Sequence, residues 1–142
     1  MGGMSRRNKK KCNKILYFIL RANRLIVGEV RGSEAIDMIQ AMNTGHDGSI
    51  STGHSNSPRD MLSRLETMVL MGAEIPLEAV RKQIASSIDI IVQLDRMRDK
   101  TRKVTEIVEI AGYEDGEIRL NPLFSMGRSK AALVMEEEAA YS

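Results

Sequence analysis

The chain has 142 residues, 42% hydrophobic and 28% charged, enough for one soluble domain with a real core. It has ten Met, no Trp and only five aromatic residues, so that core must be mostly aliphatic. The single cysteine, Cys12, excludes an internal disulfide and fits a reducing cytoplasm, and no apolar run approaches the roughly 20 residues of a membrane helix.

The net charge of +2 is unevenly spread. Residues 1–14 hold six Lys or Arg and no acid, whereas the remainder carries 15 bases against 19 acids. The basic end reads as a solvated tail, and no aromatic is interleaved with its charges before Tyr17. Specific nucleic-acid binding is therefore not expected. Ile15–Leu20 is apolar but too short for a signal peptide, and no small-residue cleavage site follows it.

The first strand is expected over Leu25–Gly28, delivering Glu29 at its end. A helix over Ser33–Met42 follows, with Ser33 as its cap. Ala35, Met38, Ile39 and Met42 recur at i, i+3, i+4 and i+7 on one face. A connector with His46 leads to a second strand, Ser49–Thr52, which ends at Gly53-His54-Ser55-Asn56. Ser57-Pro58 is an N-cap followed by Pro at the first helical position. That helix should bury Leu62, Leu65, Met68 and Val69 and stop at Gly72. Another helix runs from near Ile75-Pro76 to about Ser86. Ile88–Leu94 is a strand, Asp95–Arg102 a charged turn, and Val104–Ile110 a strand. Asp115-Gly116 signals a hairpin that returns over Ile118–Leu120.

Two apolar runs thus end in polar clusters with one helix between them. In parallel α/β sheets ligands sit at such strand ends. A carboxylate fixed after a buried strand, as Glu29 is, can orient water. The plainer alternative is a strand-end acid in a surface salt bridge. Arg31, a cation near a helix N-terminus, is unfavourably placed there and needs a partner such as Glu29. His46 and His54 can act as acid or base, ligate metal or sense a phosphate by hydrogen bonding. Metal is the weakest of these, because their spacing of eight matches no zinc pattern. Thr52 and Asn56 can add neutral hydrogen bonds.

The residues Gly28-Glu29-Val30-Arg31-Gly32, the run Ala41–Ser49 (AMNTGHDGS) and the Ser51-Thr52-x-His54-x-Asn56 element closely resemble the traffic ATPases of bacterial secretion. The match continues through Ser57–Pro76, Val80–Asp89 and Val104–Ile107, roughly Arg24 to Phe124 in all. The branch that assembles tight-adherence (Flp) pili is the most similar. The resemblance implies an α/β fold, the C-terminal part of a RecA-like P-loop NTPase domain with a terminal antiparallel hairpin. It implies Glu29 as the Walker B acid, supporting Mg²⁺ indirectly through water, and His46 and His54 as the His box. Glu29, Arg31, Thr52, His54 and Asn56 would face ATP. It further implies a homo-hexameric ring in the cytoplasm, peripheral at the inner membrane, docked on secretion or pilus platform proteins. Arg59, Arg64, Arg96, Arg98 and Arg102 are candidates for an arginine acting across a subunit boundary. The sequence departs from the pattern at Gly53, where the family usually carries Ile or Leu.

No G-x-x-x-x-G-K-[ST] run occurs in the sequence. Gly48 and Gly53 have its glycine spacing, but His54-Ser55 follows instead of Lys-Thr or Lys-Ser. Without that loop the β- and γ-phosphates have no cradle. The expectation is therefore a C-terminal ATPase fragment, inactive alone. Its parts are a basic tail and atypical junction (1–24), a partial RecA-like domain (25–124) and a loose C-terminal tail (125–142). The alternative is a non-catalytic module docking on a secretion ATPase or its platform. An ATPase fragment of this kind should also leave either an open strand edge or a replaced neighbour beside Leu25–Gly28.

Overall fold

The computed structural model describes residues 24–45 and 48–127. Cys12, His46 and the two terminal tails beyond these bounds lie outside the described residues, as does the expected helix over Ala131–Tyr141.

Two short strands, β1 (Ile26–Val27) and β2 (Ile50–Ser51), pair in parallel with Ile26 opposite Ile50 and Val27 opposite Ser51. The ladder extends one bond at each end. Ile50 N donates to Leu25 O at 2.9 Å, and Val30 N donates to Thr52 O at 2.9 Å. Between the strands runs α1 (Ala35–Met42), which buries Ala35, Met38 and Ile39. Its start differs from the expected Ser33 cap, because Glu34 holds the N-cap position. The Glu34 carboxylate turns back to accept from Arg31 N at 2.8 Å and Gly32 N at 3.1 Å.

The second helix, α2 (Pro58–Gly72), begins as its sequence dictates. Ser57 Oγ accepts from Asp60 N at 3.1 Å, with Pro58 in the first turn. Leu62, Leu65, Met68 and Val69 are all buried. Gly72 does not end the helix by a left-handed turn, since the extended Ala73 follows it directly. Its reason is close approach. A Cβ on Gly72 would stand 2.9 Å from Ser33 O and 3.1 Å from Ile36 Cγ2.

The third helix, α3 (Leu77–Ser87), buries Val80 and Ile84 completely. It packs against α1, α2 and an antiparallel sheet of β3 (Ile90–Arg96), β4 (Arg102–Glu114) and β5 (Glu117–Ser125). Asp115 and Gly116, both with positive φ, make the two-residue turn between β4 and β5. Both strands of that hairpin are longer than the sequence suggests, and Asp95 and Arg96 belong to β3 rather than to a turn. Val108, Ile110 and Ile118 are the hairpin's buried residues. Arg81 fastens α3 to its neighbours. Its Nε lies 2.9 Å from Glu66 Oε1 on α2, and its Nη1 donates to Gly116 O at 2.8 Å in the hairpin turn. The fold is α/β with a terminal antiparallel hairpin, as expected.

Ile84→Ala should cost about 2–5 kcal/mol, because the site is enclosed on all sides and cannot collapse freely. A urea midpoint measured at unchanged slope is the check. Gly72→Ala should also destabilise, although Ala is the better helix former by about 0.5–1 kcal/mol. A rise in the midpoint for that variant would refute the close-approach account.

Candidate functional site

Glu29 leaves the carboxyl end of β1 on a backbone held from both sides. Val30 N donates to Thr52 O, and Thr52 Oγ1 donates to Gly28 O. The two polar clusters are thereby joined into one site. The Glu29 side chain is 22% exposed and meets the side chains of Arg31 and His54. Arg31 Nη2 lies 2.5 Å from Oε2. His54 Nε2 lies 2.9 Å from Oε1, with the ring mostly in solvent. That second contact falls short of a hydrogen bond. Oε1 is buried and has no hydrogen-bond donor among the described residues.

The electrostatics follow from this geometry. The Arg31 guanidinium holds the Glu29 carboxyl below its ordinary pKa of 4.5, against partial desolvation, which pushes it up. The charge of Arg31 and, more weakly, the His54 ring add to the lowering. Arg31 is raised in turn by the same contact. Glu29 is therefore ionised throughout the neutral range. Its Oε2 is engaged by Arg31, and Oε1 is the oxygen with unused acceptor capacity.

The sequence-based candidates divide clearly. Glu29, Arg31, Thr52 and His54 come together. Asn56 is exposed in the turn into α2 and forms no hydrogen bond among the described residues. His46 lies outside them. Arg59, Arg64, Arg96, Arg98 and Arg102 are exposed, and none forms an ion pair among the described residues. Glu34 was not foreseen as a site residue. Its two backbone bonds shape the turn that carries Arg31, and the signal was its place three residues after Arg31, the spacing at which a helix-start carboxylate reaches back. Gly53 leaves a space that the Met61 side chain fills, since a Cβ there would stand 2.5 Å from Met61 Cε. Among the described residues no three His, Cys, Asp or Glu side chains cluster as a metal site.

The family model described as "Type II/IV secretion system protein" matches residues 5–137. The chain belongs to that family. The conjugal transfer protein TrbB of Rhizobium radiobacter is 40% identical over 96 residues, covering 68% of this chain and 28% of the relative. The type IV secretion system protein VirB11 of Brucella suis is 32% identical over 93 residues, 62% of this chain and 26% of the relative. The crystal structure of the Brucella suis VirB11 ATPase in complex with sulphate superposes with a TM-score of 0.57 at 33% identity, covering 61% of this chain and 27% of that one. The chain thus spans about a quarter of the length of these relatives. The type II/IV match reaches beyond the stretch from Arg24 to Phe124 that carries the motifs, and the fold of this part is that of the VirB11 structure.

Arg31→Ala should raise the Glu29 pKa, because the largest lowering influence is lost while the desolvation remains. A carboxyl-carbon NMR titration reads this directly. The sign for stability follows. A depressed folded-state pKa contributes stability above the unfolded value, and that stability is lost as pH falls through the folded value. The wild-type chain should therefore hold its advantage over Arg31→Ala at pH 7 and lose it below the ordinary Glu range. An advantage that grew on acidification would contradict the ion pair.

Proposed function

We propose that this chain is the part of a secretion or pilus-assembly ATPase that carries the Walker B acid and the His box. Glu29 carries the reading: one carboxylate oxygen is engaged by Arg31, and the other is buried, next to His54 and without a hydrogen-bond donor. In this role Oε1 accepts a hydrogen bond from a water and aims it in line at the γ-phosphate of ATP. Glu29 would support Mg²⁺ indirectly through water, and the ion would supply charge neutralisation at the phosphate oxygens. One carboxylate with a single oxygen lacking a hydrogen-bond donor fits such an indirect contact better than direct ligation. Arg31 keeps Glu29 ionised, and His54 faces the same oxygen from β2. Thr52 acts through the loop it ties to Gly28, while the Asn56 amide is available to phosphate or water. His46 joins from the connector. The Brucella suis VirB11 ATPase structure, to which this part is similar, is in complex with sulphate, a tetrahedral oxyanion like phosphate.

The motifs favour the tight-adherence (Flp) pilus branch. The unit proposed is residues 25–124, flanked by the basic segment 1–24 and the tail 125–142. Its setting is a hexameric ring at the cytoplasmic face of the inner membrane, driving a secretion or pilus platform without specific nucleic acid.

The chain by itself, lacking the phosphate-binding run, should bind Mg-ATP more weakly than roughly 100 µM, about −5.5 kcal/mol, in a calorimetric titration. Tighter binding would show that the nucleotide is held without that run. The role of Glu29 is tested in a chimera. Residues of this chain replace the matching 93 residues of Brucella suis VirB11. Glu29→Gln in a folded, ATP-binding chimera should lower kcat by roughly 10²–10⁴-fold. Unchanged turnover would favour the non-catalytic docking module.

A further inference from the structure

His54, just past the end of β2, is held less than its neighbours on either side. Thr52 is fixed twice, through its carbonyl to Val30 N and through its hydroxyl to Gly28 O. Ser55 is fixed as well, since its hydroxyl donates to Ser57 O at 3.1 Å and its carbonyl accepts from Gln93 Nε2 at 3.4 Å. Between them, Gly53 and His54 make no backbone hydrogen bond among the described residues. Glycine has more backbone freedom to lose than any other residue. The His54 ring is mostly in solvent, and its contact with Glu29 falls short of a hydrogen bond. Yet Nε2 stands 2.9 Å from Glu29 Oε1. Hydrogen bonding does not set the course of residues 53–54, so packing must.

The φ of Gly53 is not positive, so its backbone is open to any residue type. What a side chain would lack there is room. A Cβ would stand 2.5 Å from Met61 Cε, 2.9 Å from Met61 Sδ and 3.7 Å from Val30 Cγ1. Met61 thus reaches out from the start of α2 and lays the end of its side chain against the Gly53 backbone. Its own base is held, because Met61 N donates to Ser57 O at 3.0 Å in the turn that Ser57 and Pro58 begin. Val30, 3% exposed, backs the contact. One spot is therefore bounded by Val30, next to the acid, by Gly53, next to the histidine, and by Met61. An unbranched thioether has the length and torsional freedom that such a gap needs. Met61 also packs against the buried core, so the plainer account is that it only fills space.

We propose that Met61 is a positioning residue of this site: its thioether, lodged against Gly53 and Val30, fixes the strand end so that the His54 ring stays beside Glu29. It does from the helix what a side chain at residue 53 would do from the strand. The contact needs both partners. A side chain at residue 53 would push the end of Met61 out of the spot, and a shorter residue at 61 would leave Gly53 without a neighbour there. For its chemical meaning this rests on the reading of Glu29 given above. The placement of His54 is a property of this chain and can be measured on it directly.

The experiment is nuclear magnetic resonance on the full chain, with two readouts. One is the order parameter of the His54 amide. The other is the Overhauser contact between the His54 ring and the Glu29 methylene protons. The amide should show the order of a rigid backbone, about 0.85, in the wild type and fall below about 0.6 in Met61→Ala. The Overhauser contact should be lost in the same variant. Adding Gly53→Leu to Met61→Ala returns apolar bulk to the spot from the strand side and should restore both. Met61→Leu, a swap that cores tolerate, keeps the fold but ends one atom short, and should move both readouts in the same direction. A methionine that only fills space would lower the melting midpoint in Met61→Ala and leave both readouts unchanged, which overturns the proposal. So would a double variant that regains the midpoint but not the His54 contact. A His54 freed by Met61→Ala, beside unchanged turnover on Glu29→Gln in the chimera, would leave the positioning standing and remove the role of Glu29. Loss of turnover on Glu29→Gln with His54 unmoved by Met61→Ala would do the reverse.

Discussion

The structure depends on the insertion of α3 between the other helices and the C-terminal hairpin. Val80 and Ile84 are fully buried, in the same core as Ile39 of α1, Val69 of α2, Ile110 of β4 and Ile118 of β5. The α3 helix packs against α1, α2, β4 and β5. The aliphatic contacts supply the non-directional attraction, and Arg81 supplies direction. Its fork on Glu66 and its bond to Gly116 O set the angle at which the hairpin leaves the helices. The core is made without Trp, and Met38 and Met68 fill the irregular spaces as flexible side chains do.

The site depends on far less. β1 and β2 are two residues each, and their pairing would be marginal if isolated. What holds them is the helical layer beneath. Val30 and Ala35 are buried against the core, so the turn carrying Glu29 is anchored immediately on its C-terminal side. Glu29 can then sit with a half-desolvated carboxylate because Arg31 compensates it. Residues 29–34 form a small circuit. Glu29 pairs with the Arg31 side chain, and Glu34 holds the Arg31 backbone.

Much of this was legible in the sequence. The periodicity of Leu62, Leu65, Met68 and Val69 gave the buried face of α2. Ser57-Pro58 gave its start, and Asp115-Gly116 gave the hairpin turn. Each of these is a local rule with a local cause. Glu29, Arg31, Thr52 and His54 were picked out as polar residues at strand ends, and they do meet. The less legible features depend on contacts distant in sequence. Nothing local told that Gly72 is required by the backbone of Ser33, nor that Arg81 spans from Glu66 to Gly116. Glu34 takes the N-cap position without a side-chain cap bond, and its carboxylate reaches back to the Arg31 and Gly32 amides ahead of the helix. β5 exceeds its expected Ile118–Leu120 because polar residues such as Asn121, whose amide donates to Glu109 at 3.0 Å, extend the pairing, and β4 runs on to Glu114 opposite Glu117.

The two bonds that bracket Glu29 deserve a mechanical reading. Gly28 O is bound by the Thr52 hydroxyl and Val30 N by the Thr52 carbonyl, so the residue just after β2 grips the chain on both sides of the acid. His54 is two residues further along the same strand end. A displacement of the β2 terminus therefore carries the backbone of Glu29 with it.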